Sequence, residues 1–347
     1  MKWKSIIIVI VMLTHFVPNF TFGQDAVFSQ FFNTTLYLNP ALAGIEDDFT
    51  VNMNHRTQWK TLAFPYTTSQ MSLIMPYYKS KHIKPYGHVG GMGISAYNDL
   101  AGENNSFKTT GINASGAYNL PFDHNLVNQI SFGLQIGMIN KTIDTSKLQW
   151  GEQYDPFVGF NSSIAASETS QFQNRTFVDI NAGMFWWHNP VAEKSKTIKS
   201  INSGISVSHL NNPDESMLVT SESRLPLLYK YHGGILFNLS KHVTVSANAL
   251  VAIQNRTSQQ NFGSYVSYIT NTLSDGYFKN TIVRLGGWAR INDAFIMLME
   301  METSAFKVAF SYDMNTSTLR YDNRAIGTYE IHLGLKFSEH AQPKSRY

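Results

Sequence analysis

From Ile130 to Met138 the chain alternates without a break. Ile130, Phe132, Leu134, Ile136 and Met138 fall on one face, and Ser131, Gly133, Gln135 and Gly137 on the other. Successive side chains of a strand point to opposite faces, so this reads as a strand with one apolar side. Tyr329, Ile331, Leu333, Leu335 and Phe337 repeat the pattern against Glu330, His332, Gly334 and Lys336. So do Phe306 to Met314 and Val243 to Val251. No helical period competes in these windows. The polar faces are built mainly from Gly, Ser and Asn, with Lys307, Glu330 and Lys336 as isolated charges, as expected of a crowded, wet interior.

Such runs predict about fourteen strands, near 49–59, 67–76, 87–98, 106–120, 126–143, 176–188, 199–210, 229–239, 242–254, 261–270, 281–291, 294–303, 305–314 and 327–337. Many have the length a tilted strand needs to cross a bilayer, roughly 9–11 residues. A sheet in hydrocarbon must close, because an open edge leaves backbone amides unpaired. The pattern therefore predicts an all-β fold, an antiparallel transmembrane β-barrel of the outer membrane. The competing fold, a secreted β-sandwich, also alternates, but its outer face favours Lys, Glu and Thr, which these small, weakly charged faces lack. An even strand count puts both barrel ends in the periplasm and the connections after odd strands outside. The longest gaps, 144–175, 211–228 and 315–326, follow odd strands, whereas the tight links at Ser240–Lys241 and Ser304 follow even ones. The tight link at Asn292–Asp293 and the longer one at 77–86 run against this rule.

Composition narrows the function. Charged residues make up 15% of the 347, below the roughly 25% of soluble domains. The net charge of +3 points to no nucleic-acid partner. Without cysteine there is no disulfide, thiolate ligand or lipidated N-terminal Cys. Lys2 and Lys4 followed by the apolar run Ile6 to Leu13 read as a secretory signal over 1–23, cut before Gln24, since the run falls short of the ~20 residues of a spanning helix. The eleven His residues show no metal spacing, and no nucleophile elbow or phosphate loop occurs, so no catalytic residue, metal or cofactor is expected. Gly90-Gly91-x-Gly93 lies within a strand, where glycine relieves crowding or allows bending.

Several short motifs carry a resemblance. Phe28-Ser29-Gln30, Leu38-Asn39-Pro40-Ala41-Leu42-Ala43-Gly44, Arg56-Thr57-Gln58-Trp59, Gly204 to Pro213 with His209 and Leu210, and Ser311-Tyr312-Asp313 followed by Gly327-Thr328-Tyr329-Glu330 occur in this order. Together they resemble the PorP/SprF family of the type IX secretion and gliding system of Bacteroidota, from Gln24 to about Phe337. The tail 338–347 matches nothing in that pattern. The resemblance implies a non-enzymatic outer-membrane barrel. Its partners would be membrane lipid, secretion or gliding machinery, and a secreted surface protein such as an adhesin with a type IX sorting domain. A passive channel for small solutes is the rival on the same fold, and an outer-membrane hydrolase a more distant one.

Two regions are candidate partner sites. The segment 24–48 precedes the first strand of the barrel (49–337) and crowds Phe28, Phe31 and Phe32 into a stretch that would be costly to expose. It either tucks into the barrel mouth or forms a periplasmic docking surface through Phe28, Ser29, Gln30, Asn39 and Pro40. The loop 144–175 carries Trp150, Tyr154 and Phe157 among polar residues, and aromatics are favoured interface anchors. It either binds a partner or folds inward to cap the lumen.

Overall fold

The computed structural model describes residues 25–45, 48–59, 64–78, 88–122, 127–189, 197–270, 281–317 and 326–337. The expected signal at 1–23, the tail 338–347, and His82 and His340 lie outside them.

Fourteen antiparallel strands close into one barrel. They are β1 (Phe49–Gln58), β2 (Tyr66–Tyr78), β3 (His88–Ala101), β4 (Phe107–Pro121), β5 (Asn128–Ile143), β6 (Arg175–His188) and β7 (Ile198–Ser208). The second half comprises β8 (Leu228–Asn238), β9 (Val243–Gln254), β10 (Thr257–Ile269), β11 (Ile282–Arg290), β12 (Ala294–Glu302), β13 (Phe306–Asn315) and β14 (Ile326–Phe337). Each strand pairs with its sequence neighbours, and β1 pairs with β14, Met53 opposite Leu333, so no edge remains. Alternation sets the register, because a one-residue slip would turn every apolar side chain into the lumen. Leu134 is 67% exposed on the outer wall, whereas its neighbour Gln135 is 6% exposed on the inner one.

The strand count agrees with the pattern, and the start of β10 differs from it. That strand begins at Thr257 rather than 261, leaving Asn255–Arg256 as its only link to β9. Asn255 turns the corner at φ 52°, a left-handed conformation that Asn tolerates. The first turn of β10, Ser258-Gln259-Gln260, has no apolar face and gave no alternation to read.

The interior corrects the expectation of a wet lumen. Residues 25–45 lie inside the barrel as three short turns, Phe31–Asn33, Thr35–Leu38 and Pro40–Gly44. Their apolar side chains form a core with the wall: Phe31, Phe32, Leu38 and Leu42 pack with Leu250, Tyr265, Trp288 and Ile296. Phe32 stacks on Trp288 with ring centres 5.5 Å apart, while Phe31 meets the same indole edge-on at 5.3 Å. This is why β12 is apolar on both faces as far as Met299, with Phe295, Met297 and Met299 outward and Ile296 and Leu298 buried inward, before Glu300 and Glu302 take over the inner face. The inner charges are likewise neither few nor isolated. Arg56, Lys230, Arg284, Arg290, Asp179, Glu300, Glu302 and Asp313 are buried inside alongside Glu330.

Candidate functional site

The buried segment and the long-loop end of the barrel bring the candidate residues together. The segment starts at the long-loop end. Asp25 accepts from His209 Nε2 at 2.8 Å, just past the end of β7, and its amide donates to Gln254 at the end of β9 (3.3 Å). His209 Nδ1 bonds to Asp179 Oδ1 at 2.8 Å, so the imidazole sits between two carboxylates. Burial opposes charge on this ring. The Asp25 charge and the hydrogen bonds that the ring donates to both carboxylates outweigh it and push the pKa up to about 10. The same pairing holds Asp25 below the usual carboxylate range against its own burial. His209 has φ 63°, which turns the chain out of β7.

Phe28-Ser29-Gln30 fastens the segment to the seam where β14 meets β13 and β1. Ser29 N donates to Glu330 Oε2 (2.7 Å) and Ser29 Oγ to Asp313 Oδ2 (2.6 Å). Gln30 Nε2 donates to Ser311 Oγ (3.1 Å) and to the Glu330 carbonyl (3.0 Å). Arg290 Nη2 donates to both Ser29 Oγ (2.8 Å) and Asp313 Oδ2 (3.1 Å), and Arg56 approaches the same carboxylate at 3.7 Å. Asp313 thus lies against two guanidinium groups, and the Glu330 carboxylate is held by the backbone amides of Ser29 and Gln30, so each buried carboxylate has partners. Phe28 packs edge-on against Tyr37 at 5.4 Å.

The Asn39-Pro40 turn seats the other end of the segment. Asn39 Oδ1 accepts from Ala41 N (2.9 Å), capping the Pro40–Gly44 turn, and its Nδ2 donates to the Met184 (3.1 Å) and Ile205 (3.3 Å) carbonyls. Pro40 follows the cap, where a missing amide hydrogen costs nothing. The wall beneath is glycine for lack of space. A Cβ on Gly133 would lie 2.2 Å from Ala41 N, and one on Gly91 1.9 Å from the Ala43 carbonyl oxygen. In the Gly90-Gly91-x-Gly93 run, Gly91 therefore admits the segment's backbone and Gly93 makes room for the Leu36 side chain. The path ends at Gly44, whose carbonyl accepts from Asn119 near the opposite end of the barrel.

Phe28, Ser29, Gln30, Asn39 and Pro40 are thus all buried, Phe28 against Tyr37 of the segment itself and the other four against the wall. The three loop residues divide differently. Trp150 packs within its loop, 5.6 Å from Phe172, and donates to the Thr145 carbonyl (3.2 Å). Tyr154 and Phe157 belong to a small hairpin, Tyr154–Asp155 against Gly159–Phe160, whose tip leaves Phe157 96% exposed. Asp155 Oδ1 fixes the tip by accepting from Phe157 N (2.8 Å) and Val158 N (3.0 Å). The hairpin loop is tied to the next long loop. Gln173 N donates to the Met217 carbonyl (2.8 Å) and Val219 N to the Gln171 carbonyl (3.0 Å). Arg175 pairs with Asp214, and Lys141 with Glu215. Sequence reasoning missed His209–Asp25–Asp179 and the Arg290–Asp313 cluster. The available signal was Gly on one side of the inner wall and apolar residues on both faces of the first part of β12, Ala294 to Met299.

A closed antiparallel barrel with an outward apolar belt and a filled lumen defines a transmembrane barrel of the outer membrane. The comparisons identify which kind. The model of a family described as type IX secretion system membrane protein PorP/SprF matches residues 20–335, and the chain belongs to that family. No curated protein matches the chain closely enough to count as a relative. Among solved structures, the CymD monoaromatic hydrocarbon channel aligns at TM-score 0.44 and 10% identity, covering 89% of this chain and 94% of that one. The Pseudomonas putida toluene transporter TodX aligns at TM-score 0.44 and 9% identity, covering 87% and 91%. A Pseudomonas aeruginosa FadL homologue aligns at TM-score 0.43 and 11% identity, covering 86% and 93%.

Proposed function

We propose that this barrel is a non-enzymatic partner of the type IX machinery that helps an exported surface protein, such as an adhesin carrying a type IX sorting domain, reach or stay on the cell surface. One observation carries the reading: residues 25–45 fill the lumen and are fastened to the wall at Asp313, Glu330, Asn39 and His209. A filled lumen offers little to a diffusing solute, so the working surfaces are the two ends. At the long-loop end, Tyr154 and Phe157 stand on a hairpin held rigid by Asp155 and by the neighbouring loop. A pre-ordered aromatic protrusion suits a protein partner, because little entropy is lost when it docks.

Deleting 154–160 tests this. The barrel should still insert and keep its heat-modifiable mobility, while the surface protein leaves whole cells or appears in the medium. A surface protein that stays in place, together with raised conductance in planar bilayers, would overturn the reading and favour a channel capped by its loop.

A further inference from the structure

The outer wall of β1 to β6 departs from the apolar rule along a single line. His55, Ser69, Asn98, Thr110, Asn140 and Thr176 are direct cross-strand partners, each opposite the next. All six are on the outward face, so this is one unbroken row of hydrogen-bonding side chains across six strands. Three pairs bond to each other: His55 Nδ1 with Ser69 Oγ (2.9 Å), Thr110 Oγ1 to Asn98 Oδ1 (3.0 Å) and Asn140 Nδ2 to Thr176 Oγ1 (2.7 Å). On the β14 side the row stops at Ile331, opposite His55.

Two grooves lie beside this row, the lower one touching it at His55, Ser69, Asn98 and Thr110 and the upper one beginning at the next outward position of β4, Lys108. Below it, towards the centre of the belt, a groove of about 550 Å³ runs between Met53, Met71, Ala96, Ile112 and Leu333. Above it, at the long-loop rim, a polar groove of about 440 Å³ is lined by Lys108, Thr142, Ser146, Lys147 and Asn174. Asp144 also lines the upper groove, but it faces Lys147 at 3.4 Å and accepts from Ser146 (N at 3.2 Å, Oγ at 2.6 Å). Ile112, Thr110 and Lys108 follow one another on the outer face of β4, one in the lower groove, one on the row and one in the upper groove. At about 3.3 Å per residue the Cα atoms of Ile112 and Lys108 are roughly 13 Å apart.

We propose that these two neighbouring grooves together form a site for an outer-leaflet glycolipid with a phosphorylated headgroup. An acyl chain lies among Met53, Met71, Ala96 and Ile112. The sugar hydroxyls meet Asn98 and Thr110, and a phosphate meets Lys108, since Lys147 is already engaged by Asp144 and by the Asn104 carbonyl. The site opens sideways to the bilayer, so its occupant is a component of the membrane. The change from an apolar to a cationic lining along one strand matches the two ends of such a lipid, whereas a second barrel would not need the Lys108 ammonium at the rim.

The test uses the mature barrel in phosphatidylcholine nanodiscs doped either with diphosphorylated lipid A or with its dephosphorylated form. Retained lipid is read by native mass spectrometry, and heat-modifiable mobility reports folding. The wild-type barrel should keep the phosphorylated lipid about tenfold better than the dephosphorylated one, as a charged hydrogen bond predicts. Lys108→Ala, on an exposed side chain, should abolish that preference, and Ala96→Trp, which fills the lower groove, should weaken retention of both lipids. If Ala96→Trp does not fold, Lys108→Ala still decides the phosphate contact. Equal retention of the two lipids by the wild-type barrel, an unchanged preference in Lys108→Ala, or barrel dimers in place of bound lipid would each overturn the proposal.

Discussion

Two sides of the lumen hold the same segment by different means. Against β3, β5 and β6 the Asn39–Gly44 turn lies on glycines, and contact is backbone against backbone, as at Gly133 and Gly91. Against β11, β13, β14 and β1 the Phe28–Gln30 stretch is held by charge, through Arg290, Asp313, Arg56 and Glu330. The first side depends on the absence of atoms and the second on the presence of partners. A close-packed interior cannot give way to an added methyl group, whereas a buried ion network fails when one member is missing.

Substitutions can separate the two modes. The largest effect is expected from Gly133→Val, which places carbon where the Pro40–Ala41 backbone runs. It should expel the turn, opening 24–45 to added protease and raising conductance in planar bilayers. Gly116→Val is the control, because a Cβ there has nothing within 4 Å. If the two variants behave alike, the steric account of this side is wrong. Asp313→Ala should come next, at roughly 3–5 kcal/mol measured by refolding into lipid, since it leaves Arg56 buried without its carboxylate and Arg290 with Asp293 alone. Should Asp313→Ala cost less than about 1 kcal/mol, the seam is not held by charge.

Leu134→Arg addresses the outer wall instead and should cost about 2–4 kcal/mol near the midplane, with the segment still protected from protease. A loss of protection there would mean that the wall and the segment are not independent. The smallest effect should come from His209→Gln, and it depends on pH. The raised His209 pKa makes its contribution complete below the free value of 6.5 and lost as pH rises through about 10. The lowered Asp25 pKa makes its share complete above 3.8 and lost in stronger acid. The gap in thermal stability between wild type and variant should therefore be widest from about pH 4 to 6.5 and close towards pH 10. A gap constant across that range would remove the imidazolium from the account.

The barrel was legible in the sequence because lipid imposes a two-residue period on every strand, and Ile130 to Met138 obeys it without exception. The segment inside was not, because nothing periodic governs 25–45: its three turns follow the shape of a wall made elsewhere in the chain. Ser29 and Gln30 could be seen as polar groups in need of partners, and Asp313 and Glu330, some 300 residues away, as parts of other short motifs, but nothing in the chain said that these motifs meet. Trp150 and Phe157 looked equivalent as loop aromatics. Only the fold separates Trp150, which packs against Phe172, from Phe157, which stands clear.

The tie between Ser29 and Glu330 also sets a timetable. The residues that fill the lumen leave the ribosome and cross the inner membrane first, and the carboxylates that receive them arrive last, on the final two strands. Closing a loop of that length is slow, because its entropic cost comes before any contact repays it. Strand β14 must also pair with β1 to shut the cylinder, so the seating of the segment and the sealing of the wall fall in the same late step. A wall that shut too early would trap the segment outside an empty tube. The seam cluster of Asp313, Glu330, Arg290 and Arg56 stands where that order of events is decided.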